Sequence, residues 1–197
     1  MNKTLNHLPS TLFITGTDTE VGKTYCTSLL VRYFQRQGES VFPFKPISAG
    51  TQAQSELGGQ DVNADAFDLW QACGERYSLN DINPIVLQEP IAPHIAAKNE
   101  GRSLSLTELD KVHSHRPRAK RTLIEGAGGW LLPLNEHELM SDWVAKEKLP
   151  VIMVVGVRLG CLNHALLTAQ AIVQSGSPLI GWVANFLEGE SETGRKN

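Results

Sequence analysis

The feature that most constrains the fold is the segment at residues 16–24, GTDTEVGKT, which lies between a short apolar segment and a helical pattern. Glycine lets the main chain approach an anion, and amides at the start of a helix point toward it. Lys23 adds a positive charge, and the Thr24 hydroxyl can bind Mg²⁺. Five residues separate Gly16 from Gly22, one more than in the standard phosphate-binding loop. The segment predicts a phosphate site; the alternative is a glycine-containing turn with a surface lysine.

The order of apolar segments predicts an α/β fold. Five short segments rich in β-branched residues are predicted to be strands, at residues 11–15, 40–44, 122–124, 150–155 and 179–184. Most are continuously apolar, which is typical of strands covered on both faces. Helical spacing predicts helices at residues 24–37, 139–147 and 163–175, and an ordered loop is expected at 80–93. We therefore expect a doubly wound, mostly parallel sheet in three α/β/α layers, with its site at the carboxyl ends of the strands.

Three charged residues follow or flank these segments. Glu125 ends a predicted strand and precedes four small residues, and Lys45 ends another strand before the rigid Pro46. Since the carboxyl ends of parallel strands meet at one edge, Glu125 is expected to bind metal and Lys45 to neutralise phosphate or a developing anion. Asp65 is less certain by spacing alone because other carboxylates lie nearby. The alternatives are a turn-capping carboxylate, a surface lysine and a solvated helix start.

Composition narrows the class of protein further. The chain has 197 residues, 41% hydrophobic and 20% charged, with a net charge of −3. These values exclude collagen-like and disordered classes, and neither nucleic acid nor a membrane is expected as a partner. The three cysteines lack metal-ligand spacing, and no apolar segment approaches the ~20 residues that span a bilayer. No secretory signal precedes the first strand, so we expect a cytoplasmic, single-domain protein at residues 1–197, with a polar tail at 188–197.

Several sequence blocks, in order, closely resemble the dethiobiotin synthetase family, which has a P-loop NTPase-like fold. Beyond GTDTEVGKT, the blocks are KPISAG at 45–50, NAD at 63–65, VLQEPIAPH at 86–94, EGAGGW at 125–130, VVGVRLGCLNH at 154–164 and GWVAN at 181–185. The resemblance extends from about residue 12 to residue 185. It implies ATP- and Mg²⁺-dependent carboxylation and ring closure of 7,8-diaminononanoate with CO2 to dethiobiotin, in biotin biosynthesis. The family reaction proceeds through a carbamate and a carbamic-phosphoric anhydride.

The resemblance also implies a role for each matching position. Lys23 and Lys45 are implied as catalytic groups, and Thr24, Asp65 and Glu125 as metal ligands. The implied nucleotide-binding residues are Glu20, Val21, Gly22, Lys23, Thr24, Tyr25, Asp65, Glu125, Gly126, Ala127, Gly128 and Asn185, the last at the adenine-reading position. The implied substrate-binding residues are Ser48, Ala49, Gly160, Cys161, Leu162 and Asn163. The family makes the contact from residues 160–163 across a twofold interface, so a homodimer is implied.

Two departures from the family pattern bear on function. Ala49 stands where the family commonly has Ser or Thr, so one hydroxyl contact is absent or is supplied by Ser48. The family continues beyond Asn185, so one βα unit of ~30 residues is expected to be missing, with weaker or less specific nucleotide binding than in longer relatives. Two alternatives stay open: a partitioning-type P-loop ATPase switch, and a non-catalytic truncated paralogue. The basic residues at 113–121 are expected to form a solvated turn.

Overall fold

The computed structural model describes residues 5–186, and within them the chain forms nine strands, seven α-helices and two short 3₁₀ helices. The strands are β1 (Thr11–Gly16), β2 (Val41–Phe44), β3 (Ile47–Ala49), β4 (Gln52–Gln54), β5 (Gln60–Val62), β6 (Ile85–Leu87), β7 (Arg121–Glu125), β8 (Val151–Gly156) and β9 (Leu179–Asn185). The helices are α1 (Lys23–Arg36), α2 (Ala64–Ala72), α3 (Leu79–Ile82), α4 (Pro93–Asn99), α5 (Leu106–His115), α6 (Met140–Lys146) and α7 (Cys161–Gln174).

The central sheet has five parallel strands in the order β2-β7-β1-β8-β9, and helices flank it. All five predicted strands are present within a residue or two of their expected bounds, and the α/β fold is confirmed. Every residue of β2, β7 and β8 is buried, as expected for continuously apolar strands between helical layers. The carboxyl ends of β1, β2 and β7 lie side by side, because β1 pairs with β7 and β7 pairs with β2.

The edge strand β9 differs from the other four. Its residues alternate between partly buried and exposed, and the Trp182 side chain is 66% exposed. The sequence predicts cover on both faces for most of the five strands, and β9 is the one that lacks it within residues 5–186. Among residues 5–186, no strand pairs with the outer edge of β9. The predicted polar tail at 188–197 lies outside the described residues.

Several short elements were not expected from the sequence. The predicted loop at 80–93 contains most of α3, the strand β6 and the first residue of α4, and β6 pairs in parallel with β3. The predicted solvated turn at 113–121 is also wrong in part: His113 belongs to α5 and packs against Trp143, and Arg121 is buried and paired with Glu39. None of the helices in residues 5–186 has the length and apolar character needed to cross a bilayer.

Candidate nucleotide and metal site

The phosphate loop (residues 16–24) connects the end of β1 to the first turn of α1. Its main chain enters the left-handed region at Glu20, with φ 58°, and at Gly22, with φ 87°. Gly16 is required for a steric reason, because a Cβ atom there would lie 2.6 Å from Val21 Cγ2. The predicted strand–loop–helix context is therefore present, and the loop is tightly packed on its inner side.

Lys23 is buried and turns back across the loop. Its Nζ donates a hydrogen bond to the main-chain oxygen of Asp18 at 2.8 Å, and the Asp18 carboxylate pairs with Arg158 at 2.7 Å. Burial lowers the pKa of Lys23 to about 8, and the neighbouring Lys45 ammonium contributes in the same direction. Lys23 therefore loses its charge near pH 8, well below the usual range for a lysine.

Lys45 lies between two carboxylates at the carboxyl edge of the sheet. Its Nζ is 2.6 Å from Asp65 Oδ2 and 2.7 Å from Glu125 Oε1. Burial favours the neutral amine, but the two carboxylates outweigh it and raise the pKa of Lys45. Burial likewise favours neutral Asp65, yet the Lys45 ammonium holds the pKa of that carboxyl below its usual range. The side chains of Lys45 and Glu125 are almost wholly buried, whereas that of Asp65 is 45% exposed and faces the cleft.

The three predicted metal ligands lie together around this lysine. Thr24 Oγ1 donates to Glu125 Oε1 at 2.8 Å, and Lys45 joins Glu125 to Asp65. Glu125 Oε2 is buried and has no hydrogen-bond partner among the described residues. Residues 5–186 contain no group of three His, Cys, Asp or Glu side chains that could hold a metal alone. A hydroxyl and two carboxylates fit Mg²⁺, which commonly takes its remaining ligands from phosphates and water.

These groups open into a cleft of about 780 Å³, within the range typical of small-molecule sites. Its walls come from the phosphate loop, β3, the start of α2, the loop before α4 and the residues after β7. The cleft brings together ten of the predicted site residues: Glu20, Gly22, Lys23, Thr24, Lys45, Ser48, Ala49, Asp65, Ala127 and Gly128. Two further predicted residues contact Lys45 without belonging to the cleft wall. Lys45 Nζ donates to Glu125 Oε1 and to the main-chain oxygen of Gly126.

Other predicted residues lie outside this wall. Val21 is buried, and Asn185 Nδ2 donates to its main-chain oxygen at 2.9 Å, so Asn185 braces the loop. The Tyr25 side chain is 62% exposed. Residues 160–163 form the start of α7 and are absent from the cleft wall of the described chain. Cys161 is buried there, as expected for a small packed residue.

Two asparagines near the cleft were not identified from the sequence. Asn63 caps α2, accepting from the Ala66 amide, and its Nδ2 donates to the main-chain oxygen of Gly50 at 2.9 Å. Asn83 is buried and contacts both Lys45 and Ser48. An asparagine directly before Ala64-Asp65 is a helix N-cap signal that could have identified Asn63. No local signal marks Asn83, because its two short hydrogen bonds are made to residues more than 30 positions away in sequence.

The fold and the phosphate loop define a P-loop nucleotide-binding protein. Residues 10–195 match a family model described as an AAA domain. The kinase domain of Escherichia coli tyrosine kinase ETK aligns with a TM-score of 0.52 and 15% identity, over 98% of this chain and 72% of that one. This likeness concerns the fold alone.

Curated relatives define the family more closely. The chain is 47% identical over 174 residues to ATP-dependent dethiobiotin synthetase BioD of Yersinia pestis bv. Antiqua (strain Angola), covering 88% of this chain and 71% of the relative. It is 44% identical over 179 residues to the protein of the same name from Serratia marcescens, covering 90% and 77%. The chain therefore belongs to the ATP-dependent dethiobiotin synthetase family, a family of enzymes.

Proposed function

We propose that this protein converts 7,8-diaminononanoate, CO2 and ATP to dethiobiotin, ADP and phosphate, a step of biotin biosynthesis. One amine takes up CO2 as a carbamate, whose oxygen attacks the γ-phosphorus of ATP as ADP leaves. The second amine then attacks the carbonyl carbon, and phosphate leaves as the ureido ring closes. The observation that carries the proposal is the Lys45 ammonium, held between two carboxylates opposite the phosphate loop of a family member.

The residues of the chain act mainly by positioning and by charge, as phosphoryl transfer requires. The main-chain amides of residues 20–25 and 126–128 are proposed to bind the phosphates, and Asn185, which donates to the Val21 oxygen, is proposed to contact the adenine. Lys23 exchanges the Asp18 oxygen for a phosphate oxygen when nucleotide binds. Lys45 faces the transferring phosphoryl group and the carbamate, where its buried positive charge stabilises developing negative charge.

Mg²⁺ fits the same edge of the site. Thr24, Asp65 and Glu125 would hold it, and Glu125 Oε2 has a free position for a ligand bond within the described residues. The ion would neutralise charge on the β- and γ-phosphates. Lys45 holds the pKa of Asp65 below its usual range and contacts Glu125 at 2.7 Å, so it keeps the two proposed carboxylate ligands close together.

The substrate diamine would lie along the rest of the cleft. Ser48 and Ala49 supply one wall, and Ile91 and Leu132 supply apolar surface for an aliphatic chain. The carboxylate end is proposed to reach residues 160–163 of a partner subunit, at the positive end of the α7 dipole. This proposal is supported by the exposed apolar side chains of α7, since Leu162 is 54%, Leu166 72% and Val173 63% exposed. The three free, buried cysteines fit the proposed cytoplasmic location.

Release of ADP tests the reaction directly. We expect it to require ATP, Mg²⁺, bicarbonate and 7,8-diaminononanoate together, and to be accompanied by dethiobiotin detected by mass spectrometry. Glu125→Gln keeps the side-chain size but removes one ligand charge, and we expect turnover to fall about 100-fold or more. ATP hydrolysis that ignores the diamine would favour a P-loop switch, and no turnover under any condition would favour a non-catalytic protein.

A mixing experiment tests the shared site. Leu166→Glu places a charge on the exposed apolar face of α7, and we expect monomers by analytical ultracentrifugation together with a raised KM for the diamine. A dimeric Leu166→Glu variant would contradict the proposed interface. An independent check mixes inactive Lys45→Met with Asn163→Glu protomers. Heterodimers should regain activity at one of their two sites if the partner contributes residues 160–163.

A further inference from the structure

The side chain of Asn83 joins two points of the segment that carries Lys45. Asn83 is 3% exposed, and it does not belong to the cleft wall. Its Nδ2 donates to the main-chain oxygen of Lys45 at 2.7 Å, and its Oδ1 accepts from Ser48 Oγ at 2.6 Å. A main-chain oxygen only accepts, so this orientation of the amide is the one the contacts allow. The two short hydrogen bonds of the amide therefore join residues 45 and 48, and Nδ2 also makes a longer contact of 3.5 Å to the Ile85 oxygen.

Other contacts leave the Lys45 segment (residues 45–50) little freedom. The Lys45 amide donates to the Ile82 oxygen at 2.7 Å, and the Ile85 amide donates to the Pro46 oxygen at 3.2 Å. The far end of the segment is held by Asn63, which donates to the Gly50 oxygen. Buried hydrogen bonds of this kind are costly to leave unmade, so each one restricts the main chain from which the lysine projects.

We propose that Asn83 is a positioning residue that sets the direction of the Lys45 side chain by clamping the main chain of Lys45 and the hydroxyl of Ser48. The inference rests on the proposed function of Lys45. Ser48 donates its single hydroxyl proton to Asn83, so it has no proton left to replace the hydroxyl that Ala49 lacks. Ser48 thus forms the cleft wall while its hydroxyl supports the lysine behind it.

Asn83→Asp tests the clamp with almost no change in shape. The carboxylate still accepts from Ser48 but cannot donate to the Lys45 oxygen. We expect kcat for diamine-dependent ADP release to fall about tenfold or more, since small displacements of a catalytic group are amplified in rate. The KM for ATP should stay within about threefold, because the phosphate loop does not touch Asn83.

Asn135→Asp is the matched control. Asn135 likewise donates from Nδ2 to a main-chain oxygen, that of Leu104 at 2.9 Å, and its Oδ1 accepts from the Glu138 amide at 3.0 Å; its Nδ2 also donates to Glu138 Oε2 at 2.7 Å. It contacts none of the residues of the Lys45 segment. We expect both variants to have a lowered melting temperature. Only Asn135→Asp should keep kcat within about twofold of the parent.

The outcomes separate this inference from the proposed function. A parent protein without diamine-dependent turnover would overturn the proposed function and this inference with it. If the parent is active and Asn83→Asp has the same kcat, only the clamp is overturned. The same holds if kcat falls equally in Asn83→Asp and Asn135→Asp. If Asn83→Asp does not fold, Ser48→Ala removes the hydroxyl from the same clamp. We then expect kcat to fall about threefold or more at constant KM, and an unchanged kcat would overturn the clamp.

Discussion

The phosphate loop and the Lys45 segment each present a lysine to the same cleft, but they are held in different ways. The phosphate loop is closed largely by contacts among its own residues, since Lys23 bonds to Asp18 and Gly16 leaves room for Val21, and Arg158 and Asn185 hold it from outside. The main chain of the Lys45 segment is held by side chains outside the segment, with Asn83 at one end and Asn63 at the other.

The two lysines therefore need different parts of the fold to be in place. A loop whose residues mainly contact one another can form between many strands and helices, so it serves many nucleotide-binding proteins. Lys45 depends on three separate parts of the chain, because Asp65 and Glu125 must also reach it. Together these parts hold the buried Lys45 ammonium at a position that the phosphate loop cannot reach. We expect the specificity for the reaction to depend on Lys45.

The largest expected effect comes from removing the Lys45 charge. Lys45→Met retains the length of the side chain but leaves Asp65 and Glu125 without their shared cation. We expect kcat for ADP release to fall about 100- to 1,000-fold, the range for losing one preorganised electrostatic contact. Lys120→Met, which removes a surface lysine paired with Glu39, should change kcat less than about twofold. Similar losses in both variants would mean that Lys45 has no special role.

Gly16→Ala tests the packing inside the phosphate loop. The added methyl group would lie 2.6 Å from Val21 Cγ2 and 3.0 Å from the Asp18 oxygen, so the loop has to shift. We expect ATP affinity, measured by calorimetry, to fall about tenfold, consistent with ~1–3 kcal/mol for overpacking. Gly181→Ala in β9 is the control, because its Cβ would meet nothing within 4 Å. Unchanged affinity in Gly16→Ala would show that the loop is less rigid than its packing indicates.

The same contrast explains which features could be predicted from the sequence. The strand–loop–helix context of the phosphate loop and the five central strands depend on patterns within a few residues, and the structure confirms both. The three-residue strands β3 and β6 are too short for periodicity to identify, and they form only because they pair with each other. His113 looks solvated in a basic stretch, yet α5 turns it onto Trp143. Asn83 could not be assigned because its partners are determined by the tertiary fold.

Lys23 and Lys45 differ in the direction of their pKa shifts, which are downward for Lys23 and upward for Lys45. The pKa of Lys23 is about 8 without nucleotide, because burial and Lys45 disfavour the charge, whereas bound phosphate favours the charge and raises the pKa. ATP affinity should therefore be full below pH 8 and fall as the pH rises, by about tenfold between pH 7 and 9. Calorimetry in buffers of different ionisation enthalpy should detect proton uptake near pH 8.5. Lys23→Arg, which stays charged, should give a flat profile; an equally steep one would exclude Lys23 as the cause.

The smallest expected effect concerns the support behind Lys45. The preceding residue, Phe44, stacks on His113 with ring centroids 6.3 Å apart, and Trp143 contacts the same imidazole edge-on. Burial lowers the pKa of His113 to about 4, with Arg116 contributing, so the imidazole is neutral at pH 7 and its 3.9 Å approach to Glu147 is not an ion pair.

The stability of the protein should depend on pH, because His113 has a different pKa in the folded and unfolded chains. The unfolded chain takes up a proton below about pH 6.5, whereas the folded chain takes it up only near pH 4. Stability should fall as the pH drops through this window and level off below it. Relative to His113→Gln, which does not titrate, the parent should lose about 1–3 kcal/mol in urea unfolding between pH 7 and 4. If the difference in unfolding free energy between the parent and His113→Gln stays constant from pH 7 to 4, His113 is solvated. The residue before Lys45, Phe44, would then not pack on a buried imidazole.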